Sequence, residues 1–151
     1  MPELKDRLRA DLTTAMKSRD ELRTATLRMV LAAVSAEEVA GKEARELSDD
    51  DVLGVLRREA KRRREAAEAF DGAGRAEQAG RERAEGEVLA AYLPAQLDDA
   101  DLAALVADVI TRTGATGMRD MGRVMGAANA EVAGRAEGGR VAAEVRRQLA
   151  G

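Results

Sequence analysis

Apolar residues recur along this chain at spacings of three and four. Nowhere do they alternate as a half-buried strand requires, so the whole chain reads as helix. The first helix is expected from Pro2, a first-turn residue, to about Lys17, with Leu4, Leu8, Leu12, Ala15 and Met16 on its buried stripe. Ser18 followed by Glu21 has the capping-box spacing, which makes Ser18 the expected cap of a second helix ending near Gly41. That helix is apolar nearly all round from Leu27 to Val34, the pattern of a helix packed on more than one side. Arg28 interrupts the run, and a carboxylate on a neighbouring helix is its expected partner.

Ser48, with Asp49, Asp50 and Asp51 behind it, predicts the start of a third helix that Gly72 closes. Val52, Leu56, Ala60, Ala67 and Phe70 form its stripe. Arg57, Lys61 and Arg64 project to one face and Arg58 and Arg62 to another, as a solvated basic run does. Arg63 instead falls within the stripe. A cation there needs a carboxylate, and Glu59, Glu82 and Glu85 are the candidates. Gly72, Gly74 and Gly80 are read as breaks, with helix resuming through Arg81 toward Tyr92 over Ala84, Val88, Leu89 and Tyr92.

Pro94 disfavours helix at Leu93 and cannot continue one itself, which sets the expected boundary between a domain of residues 1–94 and one of 95–151. Asp98 caps a fifth helix in which Leu102, Leu105, Val106, Val109 and Ile110 follow the helical template, and Gly114 stops it. Met118, Met121 and Met125 then predict one apolar stripe with Arg119 and Arg123 on its polar flank. A bend or short helix from Asn129 to Val132 and a last helix from about Gly138 to Leu149 complete the chain. The expected fold is all-α: about four helices in an N-terminal bundle, then a small three-helix C-terminal domain.

Composition narrows the chemistry. The sequence has no Cys and no His, which removes disulfides, the usual zinc sites and the Ser-His or Cys-His nucleophile pairs. No phosphate-binding Gly-x-x-x-x-Gly-Lys-Ser/Thr loop occurs, and no carboxylate pair stands out as a magnesium site. The expectation is a protein that is not an enzyme by itself and uses no cofactor or metal. Charged residues right after Met1 and the absence of a long apolar run predict a cytoplasmic protein with no membrane contact.

Lys plus Arg number 25 against 28 Asp plus Glu, a net charge of -3. A general nucleic-acid binder carries an excess of cations, so any RNA site here must be local. Beyond Asp108 the sequence has Arg112, Arg119, Arg123, Arg135, Arg140, Arg146 and Arg147 against Asp120, Glu131, Glu137 and Glu144, seven against four. Phe70 and Tyr92 are the only aromatic residues, so base stacking has little to work with, and a folded RNA read through backbone and shape suits the chain better.

The run Gly117-Met118-x-Asp120-Met121-Gly122-x-Val124-Met125-Gly126, followed by Gly134-Arg135-Ala136-x-Gly138 and the stripe Val141, Val145, Leu149, resembles the tail domain of the GatB/YqeY family. Arg28 in its Leu-Arg-Met segment, Arg63 and the Leu89 to Pro94 segment extend the resemblance to the stand-alone form over essentially the whole chain. Glu137, where the family commonly has Asp, and Gly139, where Lys is common, depart from the pattern. In the family this tail closes the B subunit of the tRNA-dependent amidotransferase and is taken to grip tRNA, while the catalytic apparatus lies elsewhere. The resemblance implies a non-catalytic tRNA-binding module, accessory to tRNA-dependent amidation, with tRNA and amidotransferase or synthetase proteins as partners. It implies a tRNA-facing surface made by Arg119, Arg123, Gly134, Arg135, Gly138 and Arg140. A protein-interaction adaptor is the alternative, and a carbon-nitrogen ligase with glutamine as amide donor follows from family association alone.

Overall fold

In the computed structural model, which describes residues 3–151, every regular element is helical. The chain divides into two compact units, one running to Leu93 and the other from Pro94 to Gly151.

The first unit contains α1 (Glu3–Lys17), α2 (Glu21–Glu38), α3 (Asp49–Gly72) and α4 (Ala76–Ala90). Pro2 lies outside the described residues. Leu8, Leu27, Val30, Val34, Val52, Val55, Leu56, Val88, Leu89 and Tyr92 meet in one core, joined by Leu47 from the segment before α3. Of the expected α3 stripe, Val52, Leu56 and Ala67 are buried and Ala60 and Phe70 half-buried. Ser48 caps α3, as expected, and the structure adds the reciprocal half: Asp51 accepts from the Ser48 N–H, which completes a capping box.

Three local expectations fail, those at Ser18 and Gly80 for identifiable reasons. The cap of α2 is Asp20, whose carboxylate accepts from the Arg23 N–H, because Ser18 is still tied to the end of α1: its N–H reaches the Thr14 carbonyl and its hydroxyl the Ala15 carbonyl. Arg19, at φ +58°, then turns the chain. Gly80 does not break α4 but lies within it, as does Gly86, because packing of Ala79, Glu85, Val88 and Leu89 overrides a cost of about 1 kcal/mol per glycine. Arg28 is exposed and lies against the Met16 sulfur at 3.7 Å, with no carboxylate partner among the described residues.

Arg63 meets the expectation set for it. Its guanidinium, 3 % exposed, donates to the Glu59 carboxylate at 2.7 Å and to the Glu59 carbonyl at 3.1 Å, and lies 3.5 Å from the Glu85 carboxylate. Glu59 and Glu85 are themselves buried, so this cluster ties α3 to α4 in the interior. Arg62 and Arg81 approach the same two carboxylates from the exposed side. At the end of α2, Glu38 accepts from the Lys5 ammonium at 2.8 Å and from the Leu47 N–H, and the Lys5 hydrogen bond is the main reason its carboxyl titrates below the ordinary range.

Tyr92 is buried against this core and donates its hydroxyl proton to Asp11 of α1, with the Arg7 guanidinium 4.7 Å from its ring centre. Burial, then the hydrogen bond to the Asp11 carboxylate, pushes the phenol up to about 12. Because the folded value lies above the unfolded one of about 10, the contribution is whole below pH 10 and is lost as pH rises toward 12. Asp11 is partly exposed, so screening limits the contribution to about 2 kcal/mol or less. Urea unfolding at pH 9 and pH 11.5 tests this: the stability gap between the wild type and Tyr92→Phe narrows at the higher pH. A gap independent of pH contradicts it.

The second unit contains α5 (Asp99–Thr113), a single 3-10 turn (Met118–Asp120), α6 (Met121–Val132) and α7 (Gly138–Ala150). Asp98 caps α5 through the Asp101 N–H at 2.7 Å, and Gly114, at φ +69°, ends it. Leu102, Val106, Val109, Val124, Ala128, Val132, Ala136, Val141 and Val145 fill the core, a small one without an aromatic side chain. The methionine stripe is incomplete. Met121 and Met125 pack against this core, but the 3-10 turn carries Met118 off the face of α6, leaving it 45 % exposed. Residues 129–132 continue α6 without a bend.

Candidate nucleic-acid interface

The surface of α6 away from its core consists of Gly122, Arg123, Gly126, Asn129 and Ala130, all exposed. A Cβ at Gly122 or Gly126 would meet no described atom within 4 Å, so no other element of this unit packs into the low relief those glycines provide. Arg119 stands in the turn just before this surface. It is exposed and makes no hydrogen bond or ion pair among the described residues.

Arg123 is differently placed. It donates to the Thr113 carbonyl at 2.8 Å and to Asp120 at 3.1 Å, closing the connection between α5 and α6. Asp120 also accepts from the Thr116 N–H at 2.9 Å, and that backbone bond is the first cause of its lowered titration. The 3-10 turn bearing Arg119 is thereby fixed from both sides.

The other predicted residues gather at the junction between α6 and α7. Ala133 and Gly134, at φ +50° and +79°, take consecutive left-handed conformations that end α6. Gly134 is glycine where the backbone requires it; Ala133 holds the same region at a cost of about 1–2 kcal/mol. Arg135 folds back to donate to the Val132 and Glu131 carbonyls at 3.0 and 2.9 Å, satisfying the open end of the helix. The Arg135 carbonyl accepts from the Leu97 N–H at 2.8 Å, and Arg140 donates to the Leu97 carbonyl at 3.0 Å and to Asp99 at 3.1 Å. Leu97 is therefore clamped through both its backbone groups. Gly138 opens α7 and is exposed, and Glu137 at the cap position makes no side-chain capping bond.

Charge can be followed arginine by arginine. Arg112 pairs with Asp108 and Glu131, Arg123 with Asp120, Arg140 with Asp99 and Arg147 with Glu144. Arg135 bonds carbonyls, which orient it without cancelling its charge. Arg146, outside the set of residues expected at the surface, is exposed and makes no such contact among the described residues. Arg119, Arg135 and Arg146 are thus the cations of this unit with no carboxylate partner. No signal of residue type could have separated them from the other four, because their distinction lies in what surrounds them.

No group of three or more carboxylates among the described residues is arranged to hold a metal ion, and no described helix is long and apolar enough to cross a membrane. The molecule is an all-α protein of two helical units, the second presenting cations and a low-relief helix face. It belongs to the Yqey-like protein family, whose family model matches residues 5–149. The chain matches none of the curated proteins with which it was compared.

Proposed function

We propose that the C-terminal unit binds the sugar-phosphate backbone of a folded RNA. The resemblance to the amidotransferase tail makes tRNA the RNA to test and makes assistance to tRNA-dependent amidation the associated role. The observation that carries this reading is the uncompensated Arg119 beside the open glycines of α6. A guanidinium without a carboxylate partner keeps its full attraction for phosphate, and side-chain-free positions one helical turn apart let a backbone approach closely. The unit has no aromatic residue, which favours recognition of backbone and shape over stacking of bases. Neither Cys nor His is available, so the role supported is that of a binding module and not of a catalyst.

The structure also dictates which variant tests the idea cleanly. Arg123, Arg135 and Arg140 bond backbone carbonyls, so removing them disturbs the fold as well as the charge. Arg119→Ala leaves every described contact in place. Its helicity and unfolding midpoint should match the wild type, while affinity for total tRNA at low salt falls several-fold and the salt dependence loses about one unit of slope. Unchanged tRNA affinity in this variant would count against the surface proposed. Salt-insensitive binding to a protein would favour the adaptor reading instead.

A further inference from the structure

Five of the chain's methionines, Met16, Met29, Met118, Met121 and Met125, belong to the described residues. Met121 and Met125 pack against the C-terminal core. Met16, Met29 and Met118 are 49 %, 51 % and 45 % exposed, so access to solvent does not separate these three. The surroundings of their sulfurs do. The Met16 sulfur accepts from the Arg28 guanidinium at 3.7 Å and the Met29 sulfur from the Arg63 guanidinium at 3.6 Å, whereas the Met118 sulfur accepts from no described group.

We infer that Met118 is the modification site of this chain toward peroxides, oxidised to its sulfoxide ahead of the other described methionines. A thioether attacks a peroxide oxygen through a sulfur lone pair. The sulfur–oxygen bond forms, the oxygen–oxygen bond breaks, and a proton passes to the departing oxygen, which leaves as water; sulfur is oxidised by two electrons and the peroxide reduced. Positive charge builds on sulfur as its bond forms, so a guanidinium in contact with it opposes the step and also occupies a lone pair. Met16 and Met29 carry that handicap, and Met118 does not. The turn also holds Met118 outward. The Asp120 N–H donates to the Gly117 carbonyl at 3.0 Å, the Met121 N–H donates to the Met118 carbonyl, and the Asp120 carboxylate accepts from the Thr116 N–H and from Arg123. Its exposure therefore belongs to the folded state. Oxidation places a polar oxygen, a strong acceptor, on the residue next to Arg119 and leaves the core untouched. This reactivity does not depend on RNA binding.

Timed treatment of the folded full chain with hydrogen peroxide, read by peptide mass mapping, tests the assignment. Met118 sulfoxide is expected to form several-fold faster than the sulfoxides of Met16 and Met29, with Met121 and Met125 slower still and helicity unchanged while only Met118 has reacted. Arg28→Ala, a change at an exposed position, should raise the Met16 rate toward that of Met118 and leave the Met118 rate as it was. In denaturing urea the rates should draw together, because the guanidinium contacts are gone. Met16 or Met29 reacting as fast as Met118 in the folded wild type, a Met16 rate indifferent to Arg28→Ala, or the same ranking in urea would overturn the inference.

Discussion

Arg63→Ala is expected to destabilise the N-terminal unit by about 3–5 kcal/mol, read as a lower midpoint in urea unfolding followed by helicity. The cost comes less from the lost hydrogen bonds than from what stays behind. Glu59 and Glu85 are 7 % and 6 % exposed, and without Arg63 their negative charges face each other with no buried counter-ion. Arg62 and Arg81 reach those carboxylates at 3.5 and 3.7 Å, but both cations are largely in solvent and compensate weakly. Such a loss is a large part of the 5–15 kcal/mol that typically holds a domain together. Replacing the trio together, Arg63→Met with Glu59→Leu and Glu85→Leu, should cost much less than Arg63→Ala alone, because no charge is then stranded. An Arg63→Ala penalty under about 1 kcal/mol would mean that the cluster is already hydrated and not an interior tie between α3 and α4.

Leu89→Ala carries the second large effect, about 2–5 kcal/mol in the same assay. Leu89 has no exposed surface and belongs to the cluster shared by α1, α2, α3 and α4, so truncation removes apolar contact and leaves a cavity bounded by helices that cannot all move inward. Met29→Ala provides the contrast. Met29 is half exposed and its sulfur lies 3.6 Å from the Arg63 guanidinium, so truncation removes one weak contact and little buried area and should change stability by about 1 kcal/mol or less. Equal penalties for the two variants would show that the core is not centred where these helices meet.

How much of this was visible in the residues depends on whether a feature was local. The α5 template, the Ser48 cap and the helical class follow from spacing and residue type, and the structure has them. Arg63 was legible because a charge within an apolar stripe demands a partner, and Glu59 lies one turn away on the same helix. The start of α2 was ambiguous, since both Ser18 and Asp20 have a suitable donor three residues on. Only the turn at Arg19 decides between them.

Backbone geometry hid the rest. Counting residues treats 118–125 as one helix, whereas the 3-10 turn gives Met118 a different direction from Met121 and Met125. The partners of Arg123, Arg135 and Arg140 include the carbonyls of Thr113, Val132 and Leu97, and a carbonyl leaves no mark in residue type. That is why the candidate surface looked like four equivalent arginines in the sequence. In the fold, three brace the unit and Arg119 alone of those four is left without an internal partner among the described residues.

The proposed attraction of the C-terminal unit for RNA through a few uncompensated arginines is tested by a salt series of tRNA binding to the full chain. With Arg119, Arg135 and Arg146 as the available cations, the logarithm of affinity should fall with the logarithm of salt at a slope no steeper than about -2.7, a loss of up to about 40-fold between 50 and 200 mM. Binding that ignores salt, or no binding at 50 mM, would contradict it.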